Sequence, residues 1–110
     1  MKRLSIVLAV TEGAAYLHAS VGAAIAVSAD LDMEAEFFVV APASKETAAR
    51  EQLSAWTHLH VFVRDTESLA QLYNCGADGA TGDAILFLRE GVLLQKEVLQ
   101  ALYKALAADE

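Results

Sequence analysis

Several residue types that would reveal a function or a location are scarce in this chain. It has one cysteine, Cys75, so it forms no internal disulfide, which fits a reducing compartment. No apolar stretch is long enough to span a bilayer. No glycine-rich phosphate loop and no serine–histidine–acid set can be recognised. These absences make the cytoplasm the expected location and argue against the commonest catalytic motifs.

Basic residues are also few, and the formal net charge is −7. The acidic residues are spread along the chain, so it repels polyphosphate, and nucleic acid and anionic membrane surfaces are disfavoured as partners. Hydrophobic residues make up 55% of the 110 residues and charged residues 21%, a composition that excludes disorder. The length fits one domain over residues 1–110 with a real core.

Apolar runs and helical repeats alternate along the chain. Four runs have the composition of buried strands, the third being shorter and more polar: Leu4–Val10, Glu36–Ala41, His60–Val63 and Ala84–Leu88. The first run, with the basic residues before it, superficially resembles a signal peptide, but Thr11–Gly13 ends it too early. We therefore interpret it as the first strand.

Helical spacing appears between these runs and after the last one. The first helical segment is Ala14–Ala29, and the last runs from about Gln95 to Leu106. The second runs from Ser44 to about Trp56, with Ser44 and Thr47 as caps. The third follows its cap Ser68 and is broken by Gly76, Gly79 and Gly82. The buried stripe of the first helix is expected at Leu17, Val21, Ala24, Ile25 and Ser28, and that of the last at Val98, Leu99, Leu102, Tyr103 and Leu106. This alternation predicts a three-layer α/β/α, Rossmann-like parallel sheet of about four strands.

Short motifs follow these elements in a recognisable order. Tyr16-Leu17 lies in the first helix, Asn74–Gly76 and Ala80–Asp83 precede the fourth strand, and Leu88–Gly91 end it. In these motifs and in the order of its elements, the chain resembles the nucleotide-binding half of family 2 glycosyltransferases of the GT-A type. The resemblance implies the sheet order 3-2-1-4 and a nucleotide-sugar ligand. The glycines at 76 and 82 are expected to allow positive φ or close backbone contact.

The chain departs from this family where the family's chemistry resides. Ala41 and Pro42 stand where the family has a base-binding aspartate, and Arg89 and Gly91 stand where it has the two acids of its Asp-x-Asp motif. In the family those acids hold Mg²⁺ or Mn²⁺, hard cations that need oxygen ligands. Here Glu90 is a single carboxylate, and it lies beside the positively charged Arg89. We therefore expect no catalytic residue, no metal and no cofactor in this chain.

The carboxyl edge of the sheet is where open parallel sheets bind ligands. The candidate ligand-binding residues there and nearby are Thr11, Glu12, Ala41, Ser44, Asn74, Arg89 and Glu90. One hypothesis is that Arg89 replaces the charge of the ion and contacts a phosphate. The alternative is that Arg89 forms a surface ion pair with Glu12 or Glu90, which is the more common role of a surface charge.

The remaining candidates have simpler interpretations. His58 and His60 would share one face if the third strand starts early enough, but a two-histidine match without a third ligand is weak. Cys75 is expected to be a small buried thiol instead of a nucleophile. Capping explains Ser44 and Asn74 more simply than ligand binding.

Two functions therefore compete. The first is a truncated or degenerate nucleotide-sugar-binding domain without independent transferase activity. The second is a non-catalytic protein-interaction or oligomerisation module that retains the fold. The fourth strand, Ala84–Leu88, would form an open apolar edge, so we expect a homodimer or a partner protein to cover it.

Overall fold

The computed structural model describes residues 3–11 and 16–108, with side chains up to residue 105. The strands are β1 (Leu4–Ala9), β2 (Ala35–Pro42), β3 (His60–Arg64) and β4 (Ala84–Arg89). The helices are α1 (Leu17–Asp30), a short 3₁₀ helix (Ala43–Lys45), α2 (Glu46–Gln52), α3 (Leu69–Gly79) and α4 (Lys96–Ala108). The predicted alternation of strands and helices is confirmed.

The four strands form one parallel sheet in the order β3-β2-β1-β4, as predicted. In β1, Ile6 lies between Phe37 of β2 and Leu86 of β4, and the carboxyl ends of β1 and β4 come together where Ala9 pairs with Arg89. The order places β1 and β2 in the interior and leaves β3 and β4 as edge strands.

Side chains alternate between two cores because successive residues of a strand point to opposite faces. Ile6 and Leu8 of β1 pack into the larger core, which α1, α2 and α4 cover, whereas Val7 and Ala9 pack into the smaller core under α3. The layers are therefore helix, sheet and helix, with one helix on the second face. Most of the predicted stripe of α1 is buried, and Ile25 of that stripe is half-buried.

One helix boundary differs from prediction, and another cannot be compared. The helix α2 ends at Gln52 instead of Trp56: the Leu53 N–H is shared between the carbonyls of Ala49 and Arg50, and the Ser54 N–H makes the tighter i→i−3 bond to Glu51. The predicted start of α1 at Ala14 lies outside the described residues. The described part begins at Leu17.

The helix α3 was also predicted wrongly, because it continues through Gly76 to Gly79 instead of breaking there. A Cβ on Gly76 would lie 2.3 Å from a methyl group of Val7, so this glycine lets the helix pack directly on β1. A Cβ on Gly82 would likewise lie only 2.7 Å from the Ser5 backbone nitrogen. Close contact with a neighbouring strand, one of the two roles predicted for the glycines at 76 and 82, is confirmed. Positive φ among the described residues falls instead on Asp32 and Gly91.

The expected inward stripe of α4 is only partly correct. Leu99 is buried, but Val98 is 52% exposed, and Leu102 and Tyr103 are each 39% exposed. The side chain of Leu106 lies outside the described set. Because β4 is an edge strand, α4 has little sheet beyond Leu86 to pack on, and one row of its apolar side chains projects past the edge.

Candidate functional site

The carboxyl edge of the sheet brings together residues from the ends of β1 and β4. We call Thr11, Ser20, Arg89, Glu90 and Gly91 the carboxyl-edge cluster. Three of these, Thr11, Arg89 and Glu90, were predicted as site residues. They meet because β1 and β4 are parallel neighbours, which follows from the sheet order. Glu12, predicted beside them, lies outside the described residues.

Glu90 is a buried carboxylate that ties the two strands together. The Thr11 backbone N–H lies 2.7 Å from both carboxylate oxygens, and the Thr11 hydroxyl donates to Oε1 at 2.8 Å. The Glu90 backbone N–H donates to the carbonyl of Ala9 at 3.1 Å. Hydrogen bonds to an ionised acceptor are the stronger kind, so the first role of this carboxylate is to hold the loop after β1 against the end of β4.

Ser20 was missed by the sequence analysis. Its fully buried hydroxyl accepts a 2.7 Å hydrogen bond from the backbone N–H of Gly91, which adopts a φ of 92°. The bond fastens the turn after β4 to α1. A signal was present, because Ser20 is a polar residue on the buried face of α1, between Leu17 and Ala24.

Arg89 is exposed and lies at the rim of the cluster. Its Nη2 donates a 3.4 Å hydrogen bond to the Thr11 hydroxyl. Nearby, Tyr73 of α3 packs against Phe87 with their ring centroids 4.9 Å apart. Burial raises the pKa of Tyr73, while the positive charge of Arg89 opposes this rise and the negative charge of Glu90 adds to it. The guanidinium therefore lies among Thr11, Glu90 and Tyr73.

The structure does not bring the other predicted residues into this cluster as ligand groups. Ala41 is fully buried and presents only a methyl group to the larger core. Ser44 makes no side-chain cap, and its hydroxyl donates to Glu67 at 3.2 Å, tying the 3₁₀ helix to the loop before α3. The interpretation of Ser44 as a helix cap is therefore wrong.

Asn74 lies on the exposed side of α3, apart from the cluster. It lines a shallow depression of about 330 Å³ with Arg64, Asp65, Thr66, Gln71, Cys75 and Asp78. Cys75 is only half-buried, so the expected buried thiol is confirmed in part.

The carboxyl-edge cluster does not fit a divalent cation. Both oxygens of Glu90 face the Thr11 N–H, Arg89 adds a positive charge, and Gly91 offers no side chain. Among the residues that the structure describes, no three His, Cys, Asp or Glu side chains are grouped so as to hold a metal ion.

His58 and His60 do not share a face. The His58 ring meets Phe37 edge-on, with centroids 6.3 Å apart, whereas the His60 ring stacks on Phe38 at 4.8 Å. Phe37 and Phe38 belong to the two different cores. The two imidazoles therefore lie on opposite faces of the sheet, because His58 precedes the strand and does not follow its alternation.

A second polar network, also missed, closes the amino edge of the sheet. Glu36 accepts hydrogen bonds from the Ser5 hydroxyl at 2.5 Å and from the Thr81 backbone N–H at 2.6 Å, and Arg3 lies 3.9 Å away. Burial raises the pKa of Glu36, but these hydrogen bonds and the Arg3 charge outweigh burial and lower it overall. The network is built from paired groups, which indicates a structural role.

The large hydrophobic side chains that are exposed in the described residues are concentrated in one part of the chain. Of the eight large hydrophobic side chains that are exposed in the described part, all but Tyr16 lie between residues 85 and 103. We call these seven the β4–α4 surface: Ile85, Phe87, Val92, Leu93, Val98, Leu102 and Tyr103. A groove of about 190 Å³ is lined by Ile85, Leu102 and Tyr103 of this surface, together with Leu86 and Leu99.

None of the described helices combines the length and apolar character needed to cross a membrane. Comparisons with models of protein families, with curated proteins and with solved structures find no match for this chain. The geometry of the site is therefore what bears on its function.

Proposed function

We propose that this chain is a family 2 glycosyltransferase-like domain without independent transferase activity, and that it works as a protein-interaction or oligomerisation module. The observation that carries this proposal is the β4–α4 surface, which holds nearly all of the large exposed apolar side chains in the described part of the chain. Exposed apolar side chains concentrated beside an open sheet edge are typical of interaction sites. The lone cysteine keeps the cytoplasm as the proposed location.

The chemistry of the carboxyl edge supports the non-catalytic half of the proposal. Ala41 and Pro42 are buried, and their side chains carry no group that accepts a hydrogen bond from a nucleobase. The Glu90 carboxylate already receives the Thr11 N–H and hydroxyl. Binding a cation there would cost these bonds and place the ion beside Arg89, which supports a proposal without sugar-nucleotide transfer.

The position of the patch supports the interaction half. The strand β4 stands last in the sheet order, so its outer backbone groups face away from the sheet. An added strand can pair with such an edge while apolar side chains beside it supply affinity. Edge and patch coincide here at Ile85 and Phe87, which are 40% and 43% exposed.

Light scattering coupled to size-exclusion chromatography tests association directly. Val98→Glu puts a charge on the α4 part of the β4–α4 surface, and we expect at least about tenfold weaker association, or about 1.4 kcal/mol. Val98 is largely exposed, so the monomer should keep its fold. Tyr16→Glu is the matched control, since it adds the same charge to the one large exposed hydrophobic side chain that the described residues have outside the surface. A wild-type chain that stays monomeric at tens of micromolar and binds no partner would refute the proposal.

Retained binding of a nucleotide-sugar is the second candidate function. It is favoured by Arg89, a cation at the carboxyl edge beside the end of β1. Thermal melts with UDP, GDP and their sugars, with and without Mn²⁺, separate it from the first, because a bound ligand raises the melting temperature. We expect no metal-dependent rise. Any metal-independent rise should disappear in Arg89→Ala, and its persistence there would end this candidate.

A further inference from the structure

We infer that the occupant of the open edge is a second copy of this chain, whose β4 pairs antiparallel with the first about a twofold axis at Leu86. This inference rests on the proposed function and specifies its partner. It would join two four-stranded sheets into one continuous sheet of eight strands. The self-complementarity of β4 in this one register is the argument for it.

The backbone of β4 fixes which groups are available for such pairing. The Glu90 N–H, which continues the register of β4, donates to the Ala9 carbonyl of β1 at 3.1 Å. Because backbone groups alternate direction along a strand, Leu88, Leu86 and Ala84 also turn theirs toward β1. Ile85 and Phe87 therefore direct their N–H and C=O groups outward, where an antiparallel partner strand would bond them in pairs.

Side-chain alternation restricts the possible registers. A twofold axis perpendicular to the sheet keeps each face on its own side, so a residue can lie opposite only residues of its own face. The axis then passes through one residue of β4, and the central choices are Ile85, Leu86 and Phe87. These three registers differ by two residues in every cross-strand pair.

Charge selects the register centred on Leu86. There Asp83 lies opposite Arg89 at both ends of the ladder, and Ile85 lies opposite Phe87. Centring on Ile85 would place Asp83 opposite Phe87, and centring on Phe87 would place Arg89 opposite Ile85. Opposite charges and aromatic–aliphatic pairs stabilise facing positions, so only the central register satisfies all four side chains.

The charged pair is compatible with one contact that each group makes within the chain. Asp83 accepts a hydrogen bond from the Arg3 backbone at 2.9 Å, and Arg89 donates to Thr11. A carboxylate accepts several hydrogen bonds and a guanidinium has five N–H donors. These contacts lie on the β1 side and hold both side chains near the ends of β4, where their further hydrogen-bonding capacity would meet the second copy.

Single-cysteine cross-linking tests the register. In a Cys75→Ser background, Ile85→Cys and Phe87→Cys each introduce one thiol at an exposed position, which should leave the fold intact. The two variants, one carrying a size tag, are oxidised mildly alone and mixed, and the products are separated without reductant. Directly facing residues lie within disulfide range. We expect the mixture to form the cross-linked heterodimer several-fold faster than either variant forms its own dimer.

Each other outcome overturns the inference in a distinguishable way. Faster self-linking of Ile85→Cys indicates the register centred on residue 85, and faster self-linking of Phe87→Cys indicates the one centred on residue 87. A dimer by light scattering without cross-links shows association through another part of the β4–α4 surface, so the proposed function survives and this inference fails. A monomer that binds a different protein likewise leaves the proposed function standing and overturns this inference. A monomer that binds nothing removes both.

Discussion

The strands β1 and β4 are equal in length and both are apolar runs in the sequence, yet they lie in different environments. Every residue of β1 is buried, from Leu4 to Ala9. In β4, exposed residues alternate with more protected ones, and of its six residues only Leu88 is buried. The difference comes from position, because β1 has a strand on each side and helices over both faces, whereas β4 has one neighbouring strand.

The other edge strand, β3, shows how an edge is ordinarily protected. It has five residues, and its two ends, His60 and Arg64, are polar and exposed. Short length and charge discourage pairing with other chains. In β4 the only charge is Arg89, at its end, and the middle carries Ile85 and Phe87. The contrast indicates that β3 is protected as a free edge and that β4 is not.

The largest expected effect comes from matched truncations in β1 and β4. Ile6→Ala should cost about 2–5 kcal/mol of unfolding free energy, because Ile6 is fully buried and a cavity would remain. Ile85→Ala should cost the monomer less than about 1 kcal/mol, since water already reaches this side chain. Urea unfolding at low protein concentration measures both. Equal losses would show that β4 is as enclosed as β1.

A smaller effect is expected from filling the contact between α3 and β1. Gly76→Ala should destabilise the fold by about 1–3 kcal/mol, because the new methyl group would overlap Val7. Gly22→Ala in α1 is the control. Its methyl group would meet Trp56 at an ordinary 3.6 Å, and it should stabilise the helix by up to about 1 kcal/mol. If Gly76→Ala were as stable as the parent, α3 would pack less closely on β1 than described.

The smallest effect concerns the amino ends of β1 and β2, and it depends on pH. The folded state lowers the pKa of Glu36, so its contribution is present above the unfolded value of about 4.3 and is lost as the pH falls through the lower folded value. Glu36→Gln should cost about 1–2 kcal/mol near neutral pH. It should also flatten the loss of stability below about pH 4.3. Denaturant midpoints measured across this range check it, and parallel profiles for parent and variant would contradict the network.

The candidate site could be predicted only in part. Thr11, Arg89 and Glu90 were identified because residues that follow neighbouring parallel strands must meet at one edge. The contact that holds the turn after β4 in place was not predicted, since Ser20 lies on α1 and its hydrogen bond to Gly91 joins residues 71 positions apart. Glu36 was missed for the same reason, because its partners Ser5 and Thr81 are distant in sequence and come together only when the sheet forms.

The sequence by itself determined the class of fold. Hydrophobic periodicity is a local property, so it located four strands and four helices and, through their alternation, a parallel sheet. Only the tertiary structure decided how deeply each apolar run is buried, that α3 continues through Gly76, and that one row of α4 projects beyond the sheet. Those outcomes depend on which elements become neighbours, and contacts between distant parts of the chain are not encoded in the spacing of residues along it.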